Sequence, residues 1–412
     1  MNDVIRETVN RLLERINALS EPGPGFTRPS YSALESKAHD IVAEEAEALG
    51  MTVTRDAGLN MFARLPGIDR TAPPLHIGSH LDTVPMGGAY DGQAGVAGAM
   101  ALVAAFVKSG QKPKTDIVVT VTRAEESVWF PVSFIGSRGV LGRLDPQDLE
   151  ARRADTGKTL AEHMRELGGD PEKVLDGAGF QPARFVEFHI EQGPVLDDAN
   201  EPFGIVTAIR GGLRYRNAVI EGQWAHSGGA PRETRSDVVF ALSELVVRLD
   251  ELWGKMLEEG KDIAVTIGRI DAATPEHAFA KVPGRLEFCI DLRSVDEDVL
   301  DRMDGLLKEE IAKIEGKRGV TFKLGPQSRS TPTPLSSELG DEVEVAAKTL
   351  GIAPRRMLSG GGHDAAAFAL AGWESLMVFI RNWNGSHNPD EAMDPEDLIT
   401  AVNVLYTAWS EG

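Results

Sequence analysis

Residues 116–122 read Asp-Ile-Val-Val-Thr-Val-Thr, an almost continuous apolar run in which hydrophobic and polar side chains do not alternate. A strand of that kind must be covered on both faces, which points to a layered α/β domain with a largely buried sheet. The surroundings fit. Helical periodicity over 4–19 ends at the turn-rich 21–25, and a second helix over 32–49 closes at Gly50. Strands are expected over 51–55, 61–65, 74–78, 184–190 and 374–380, and helices over 94–109, 339–350 and 395–409. Near Gly211 and Gly212 the pattern changes. Strands at 213–221, 263–270, 285–293 and 320–324 alternate with helices at 237–259 and 296–317, as in an α+β unit of split βαβ type. A chain of 412 residues is too long for one comfortable core. The first and last thirds therefore read as one domain interrupted by an insertion.

Four polar clusters fall at the ends of these strands. Residues 78–92, Gly-Ser-His-Leu-Asp-Thr-Val-Pro-Met-Gly-Gly-Ala-Tyr-Asp-Gly, carry His80, Asp82 and Asp91. Glu125 and Glu126 follow the buried strand, His189 closes another, and His387 stands in Ser-His-Asn-Pro after a third. A His-x-Asp alone is common in surface loops. Several imidazoles and carboxylates at the carboxyl ends of strands are where an open α/β sheet builds its site. Such a donor set suits a divalent transition metal, with a carboxylate able to bridge two ions or to hold a histidine's other nitrogen. Adjacent glutamates point in different directions, so one can ligate while its neighbour acts as a general base.

Composition narrows the alternatives. A net charge of −20 offers no basic excess for nucleic acid or an anionic membrane. The single cysteine, Cys289, allows neither an internal disulfide nor a thiolate pair for a metal. No apolar run approaches the ~20 residues needed to span a bilayer, and the N-terminal residues lack an apolar signal core, so a soluble, cytoplasmic chain is expected.

Taken together, Gly78-Ser-His-Leu-Asp-Thr-Val-Pro85, Tyr90-Asp-Gly92, Glu125-Glu126, Gly136-Ser-Arg138, His189-Ile-Glu-Gln-Gly-Pro194, Ala225-His-Ser-Gly228, Gly362-His-Asp364 and Ser386-His-Asn-Pro389 carry a resemblance over nearly the whole chain. It resembles the co-catalytic metallo-amidohydrolases and aminopeptidase-like hydrolases that include aminoacylases and dimeric carboxypeptidases. Within them it is most similar to N-carbamoyl-L-amino-acid hydrolases, β-ureidopropionases and allantoate amidohydrolases. The resemblance implies an α/β fold: a mixed-sheet, aminopeptidase-like catalytic domain over 1–211 and 327–412, with an inserted α+β, ferredoxin-like lid and dimerisation domain over 212–326.

It also implies a site. Asp91 would bridge two divalent ions (zinc, manganese, nickel or cobalt), His80 and His189 completing one position, Glu126 and His387 the other. Glu125 would be the general base, Asp82 the carboxylate orienting His80, and His226 an oxyanion donor reaching a neighbouring subunit. Arg293, Gln192, Gly362 and His363 would contact substrate. The implied reaction is hydrolysis of a linear C–N bond in an N-carbamoyl (ureido) amino acid. The alternatives are an N-acyl amino acid, as in an aminoacylase or dipeptidase, and allantoate. A homodimer is implied, with no nucleic-acid or membrane partner. The chain departs from the carbamoylase pattern at Ala280, where asparagine is usual, at Pro202-Phe203, where glutamine is, and at Ser127-Val-Trp129. Those departures touch the residues that read the substrate and leave the metal motifs whole.

Overall fold

The structure is a computed structural model and describes residues 2–272 and 276–410. The chain forms two compact units, one of Met1–Thr207, Leu335–Ser359 and His363–Gly412, the other of Ala208–Pro334 and Gly360–Gly362. These limits lie a few residues outside the boundaries expected at 211/212 and 326/327. Strand pairing accounts for the difference, since 327–330 pair with 212–215 and 333–334 with 208–209.

The first unit is built on β1 (Thr52–Arg55), β2 (Met61–Leu65), β3 (Leu75–His80), β4 (Ile117–Thr122), β5 (Arg184–Ile190), β6 (Phe203–Ile209) and β7 (Glu374–Ile380). Their order is β1-β2-β4-β3-β5-β7-β6. The middle strands β4, β3, β5 and β7 are parallel, while β2 and β6 flank them antiparallel. Every residue of β3 and β4 is buried, which explains why the β4 sequence does not alternate. The expected strand 74–78 runs on to His80, because Ser79 and His80 pair with Val121 and Thr122. His80 thereby sits on a strand rather than in the following loop.

Helices cover the sheet. Among α1 (Asn2–Asn17), α2 (Ala33–Ala48), α3 (Gln93–Ser109), α4 (Asp364–Leu370) and α5 (Pro395–Trp409), α3 is buried from Gln93 to Phe106. A helix apolar all round must be enclosed, and α3 shares one core with α1, α5 and the apolar residues of β3, β4, β5 and β7. Side chains of the alternate register, such as His76 and Phe185, meet aromatic partners instead. Phe185 stacks on Phe368 of α4 at 4.0 Å, and the His76 ring is edged by Phe180 and Trp373. β3 and β4 approach so closely at Gly78 that a Cβ there would lie 1.7 Å from the Thr120 carbonyl oxygen.

The second unit follows a β-α-β-β-α-β course through Gly211–Glu221, Val238–Glu258, Ala264–Thr266, Arg285–Ser294, Glu297–Arg318 and Thr321–Lys323. All its pairings are antiparallel, with Arg285–Ser294 between Ala264–Thr266 and Gly211–Glu221. Burial alternates strictly along Arg285–Ser294, and its inward residues share a core with both helices. Among the described residues no helix is long and apolar enough to cross a membrane.

The crowding at Gly78 gives a direct test of the sheet. Gly78→Ala should cost about 1–3 kcal/mol through overpacking. A fall of several degrees in the melting temperature, read by circular dichroism, is the expected result.

Candidate metal centre

The parallel strands end together, and their carboxyl ends carry the chemistry. His80 is the last residue of β3, Glu125 and Glu126 follow β4, His189 lies in β5, and His387 lies beyond β7. Asp91 comes from the loop between β3 and α3, where the backbone passes directly over the His80 ring. A Cβ on Gly92 would fall 2.5 Å from that ring, and Gly92 has φ +72°, so glycine meets both demands.

Asp91 is the centre of the geometry. Its Oδ1 lies 3.5 Å from His80 Nε2 and 3.2 Å from His189 Nε2, while its Oδ2 lies 3.3 Å from His387 Nε2. His387 Nε2 is in turn 3.3 Å from Glu126 Oε1. Two groups therefore share Asp91: His80, Asp91 and His189, and Asp91, Glu126 and His387, each with its donor atoms within 4.8 Å of one another. His80 Nδ1 lies 3.0 Å from the Asp82 carbonyl oxygen and His189 Nδ1 lies 2.9 Å from that of Ile190. Carbonyls only accept, so both Nδ1 atoms carry the proton and both Nε2 atoms are left to act as ligands. The buried His80 Nε2 has no hydrogen-bond partner among the described residues. A buried, unpartnered ring nitrogen facing carboxylates, beside a second group of the same kind, is a donor set that fits divalent cations.

The loops are held by buried carboxylates. Asp82 accepts Glu125 N–H at 3.1 Å, Glu126 N–H at 3.2 Å and Ser30 O–H at 2.6 Å, and lies 3.3 Å from His80 Nδ1. Glu391 accepts the N–H groups of Tyr90 and Asp91 and the hydroxyl of Ser386, tying the Asp91 loop to the His387 loop. Trp129, one of the departures from the carbamoylase pattern, is buried and donates its indole N–H to the Thr83 carbonyl at 2.7 Å, joining the β3 and β4 loops. Ala124, Gln192 and His387 all have left-handed backbones (φ +51°, +62° and +60°), a cost that persists only where surroundings over-determine it.

Electrostatics follow from this crowding. Hydrogen bonding to Asp91 and Glu126 pushes the His387 imidazolium up to about 11, outweighing its desolvation. Burial raises Glu125 well above the usual carboxylate range, helped by the neighbouring Glu126 charge, and raises Glu126 too. Burial, more than the nearby His189, keeps His363 neutral.

Gln192 donates to Asp91 Oδ2 at 2.7 Å. His363 is buried, its ring 4.3 Å from that of His189. Gly362 groups with the second unit, as do Arg293 and His226. Arg293 is held by Asp291 at 2.8 Å and by the Gly360 carbonyl at 2.6 Å. His226 is exposed, and its Nδ1 accepts the N–H groups of Gly228 and Gly229 at 3.2 and 3.0 Å, which leaves its proton on Nε2. Ser386 and Glu391 were not foreseen from the sequence. Ser386 stands beside a foreseen histidine, and Glu391 has no local signature.

Comparison with known proteins matches residues 76–411 to the model of peptidase family M20/M25/M40. The chain is 33% identical to an N-carbamoyl-L-amino acid amidohydrolase of Geobacillus stearothermophilus, over 97% of this chain and 96% of the relative. It is 30% identical to an allantoate amidohydrolase of Bacillus subtilis, over 96% of each. A solved amidase of the hydantoinase/carbamoylase family from Burkholderia multivorans superposes with a TM-score of 0.88 at 28% identity, covering 98% of this chain and 96% of that one.

Because His387 holds a proton at neutral pH until a cation displaces it, adding manganese or zinc to metal-free protein at pH 7.5 should acidify a weakly buffered solution. Apparent affinity should weaken by about tenfold per pH unit for each proton displaced as the pH is lowered. Calorimetry in buffers of different ionisation enthalpy measures both. Cation binding without proton release would remove His387 from the ligand set.

Proposed function

From its membership of the M20/M25/M40 peptidase family, we propose that this chain, a hydrolase, is a metal-dependent amidohydrolase that cleaves the linear C–N bond of an N-carbamoyl amino acid or a related ureido carboxylate. The observation that carries the reading is Asp91, whose two carboxylate oxygens face two separate imidazole groups beside the buried carboxyl of Glu125. Asp91, His80 and His189 would hold one cation, and Asp91, Glu126 and His387 a second. Zinc, manganese, nickel and cobalt all suit imidazole with carboxylate. Two bound cations would acidify water and polarise the scissile carbonyl.

The chain's own residues do the rest. Glu125 Oε2 lies 3.9 Å from His80 Nε2 and is the general base. It takes a proton from the attacking water as the O–C bond forms, and delivers it to the leaving nitrogen as the C–N bond breaks. From a carbamoyl substrate the products are the amine, ammonia and carbon dioxide. Asp82 keeps His80 in its Nε2-ligating tautomer and holds both glutamates by their backbones. Arg293 grips the substrate carboxylate, where a planar guanidinium can bind both oxygens. Gln192, Gly362 and His363 complete the substrate contacts. His226 stabilises the oxyanion from a neighbouring subunit, a role supported by the proton on its Nε2.

The second unit is then an inserted, ferredoxin-like lid and dimerisation domain. Exposed apolar side chains on its helix Val238–Glu258 support a homodimer: Val247 and Leu257 are 56% and 51% exposed, and Phe240, with the Arg318 guanidinium over its ring, is 60% exposed.

Glu125→Gln should reduce turnover by about 10²–10⁴-fold with metal still bound. Undiminished turnover in the metal-loaded variant would exclude Glu125 as the base. A panel of N-carbamoyl, N-formyl and N-acetyl amino acids plus allantoate, assayed with manganese or zinc by loss of substrate, should show cleavage of the ureido compounds alone. Cleavage confined to the acetyl compounds would favour an aminoacylase.

A further inference from the structure

A second buried carboxylate, far from the ligand motifs in sequence, works on the same turn as Asp82. Ser32 caps α2, its Oγ accepting Glu35 N–H at 3.1 Å. In a capping box the glutamate at this position would return its carboxylate to the cap's own N–H. Here Ser32 N–H is satisfied by the Pro29 carbonyl at 3.2 Å, and the Glu35 carboxylate turns inward, fully buried. Its Oε2 accepts Tyr31 N–H at 2.7 Å and Arg123 Nη1 at 2.9 Å, and its Oε1 accepts Ala124 N–H at 3.0 Å.

The consequence lies in the backbone. The N–H groups of Ala124, Glu125 and Glu126 are received in succession by buried carboxylates, the first by Glu35 and the next two by Asp82. Ala124 is the residue with the left-handed φ of +51°, a conformation that alanine avoids unless held. Arg123, which shares the Glu35 carboxylate, is anchored to the Leu59 carbonyl at 3.0 Å and to Ser36 Oγ at 3.2 Å. The turn between β4 and Glu125 is therefore clamped from α2 as well as by Asp82.

We propose that Glu35 is a positioning residue for catalysis: it holds Ala124 in its left-handed conformation and so, together with the Asp82 hydrogen bond to Glu125 N–H, aims the Glu125 carboxyl. This rests on Glu125 being the base, as proposed above. Glu35 receives Ala124 N–H and Asp82 receives Glu126 N–H, which makes the inference specific. Loss of Glu35 should misplace the base and leave the cation positions intact. A displacement of about 1 Å at a reacting group can cost on the order of 100-fold in rate.

The test compares Glu35→Gln, Glu35→Asp and Glu125→Gln for metal per chain, melting temperature, kcat and KM. Glu35→Asp keeps a charge opposite Arg123 while shortening the reach to Ala124, so it serves if Glu35→Gln does not fold. Each Glu35 variant should lose about 10–100-fold in kcat, with KM within about threefold and full metal content. Adding Ala124→Gly to either should restore part of the kcat, because glycine adopts a positive φ without penalty. A purely structural role would lower the melting temperature and the fraction of metal-loaded sites while leaving kcat per loaded site unchanged, and that result overturns the inference. If Glu125→Gln, metal-loaded, keeps its turnover, the general-base reading fails first; if Glu125→Gln is inactive and the Glu35 variants are not impaired, only the inference on Glu35 fails.

Discussion

The structure turns on the burial of negative charge. Asp82, Asp91, Glu125, Glu126, Glu187, Asp364 and Glu391 are all buried at or beneath the carboxyl ends of the parallel strands. Carboxylates taken out of water are costly unless hydrogen-bonded or paired with cations. Hydrogen bonds meet part of the cost. Glu187 accepts from Ser79 Oγ and Ala365 N–H, and Asp364 from the hydroxyls of Thr122 and Ser137. Even so, burial pushes Glu187 up to about 7 and raises Asp364. An assembly of this composition resists full ionisation unaided, and the cations of the proposed reading are the remaining compensation.

Holding that charge in place requires firm loops, and the fold achieves this with buried polar links. Arg28 is fully buried and donates to the carbonyls of Ile16 and Leu19 at the end of α1, to Leu81 O just past His80, and to Gln93 Oε1 at the start of α3. Burial lowers its pKa only to about 10, so it stays cationic at neutral pH. One guanidinium thus binds two helix ends to the His80 strand. Trp129, Glu391 and Glu35 make comparable links from other directions.

Much of this was legible in the sequence, and the exceptions share a cause. The strands Met61–Leu65, Arg184–Ile190 and Glu374–Ile380 and the helix Pro395–Trp409 fall where apolar pattern and flanking turns put them. The residues expected as ligands do gather into two groups about Asp91, because strand ends concentrate them. The helices Ile135–Val140 and Leu160–Glu166 were not anticipated. They are too short for periodicity, although Thr159 and Glu162 stand at capping-box spacing and form one. Glu35 has the opposite history: its spacing from Ser32 signals a cap, and only the tertiary structure diverts the carboxylate. Links such as Glu391 to Tyr90 join positions 301 residues apart, and no local pattern encodes them.

Asp91 has one further consequence. Its two oxygens belong to one rigid carboxylate, so two cations held there would not be independent ligands. Whatever factor the first imposes on the affinity of the second, the second imposes on the first, as thermodynamic reciprocity requires. Scarcity of metal would then be felt as a change in the proportion of doubly loaded molecules, and hydrolytic capacity would follow the square of ion availability before saturation. The square would come from the need for both cations, and the shared carboxylate would set the coupling factor between them.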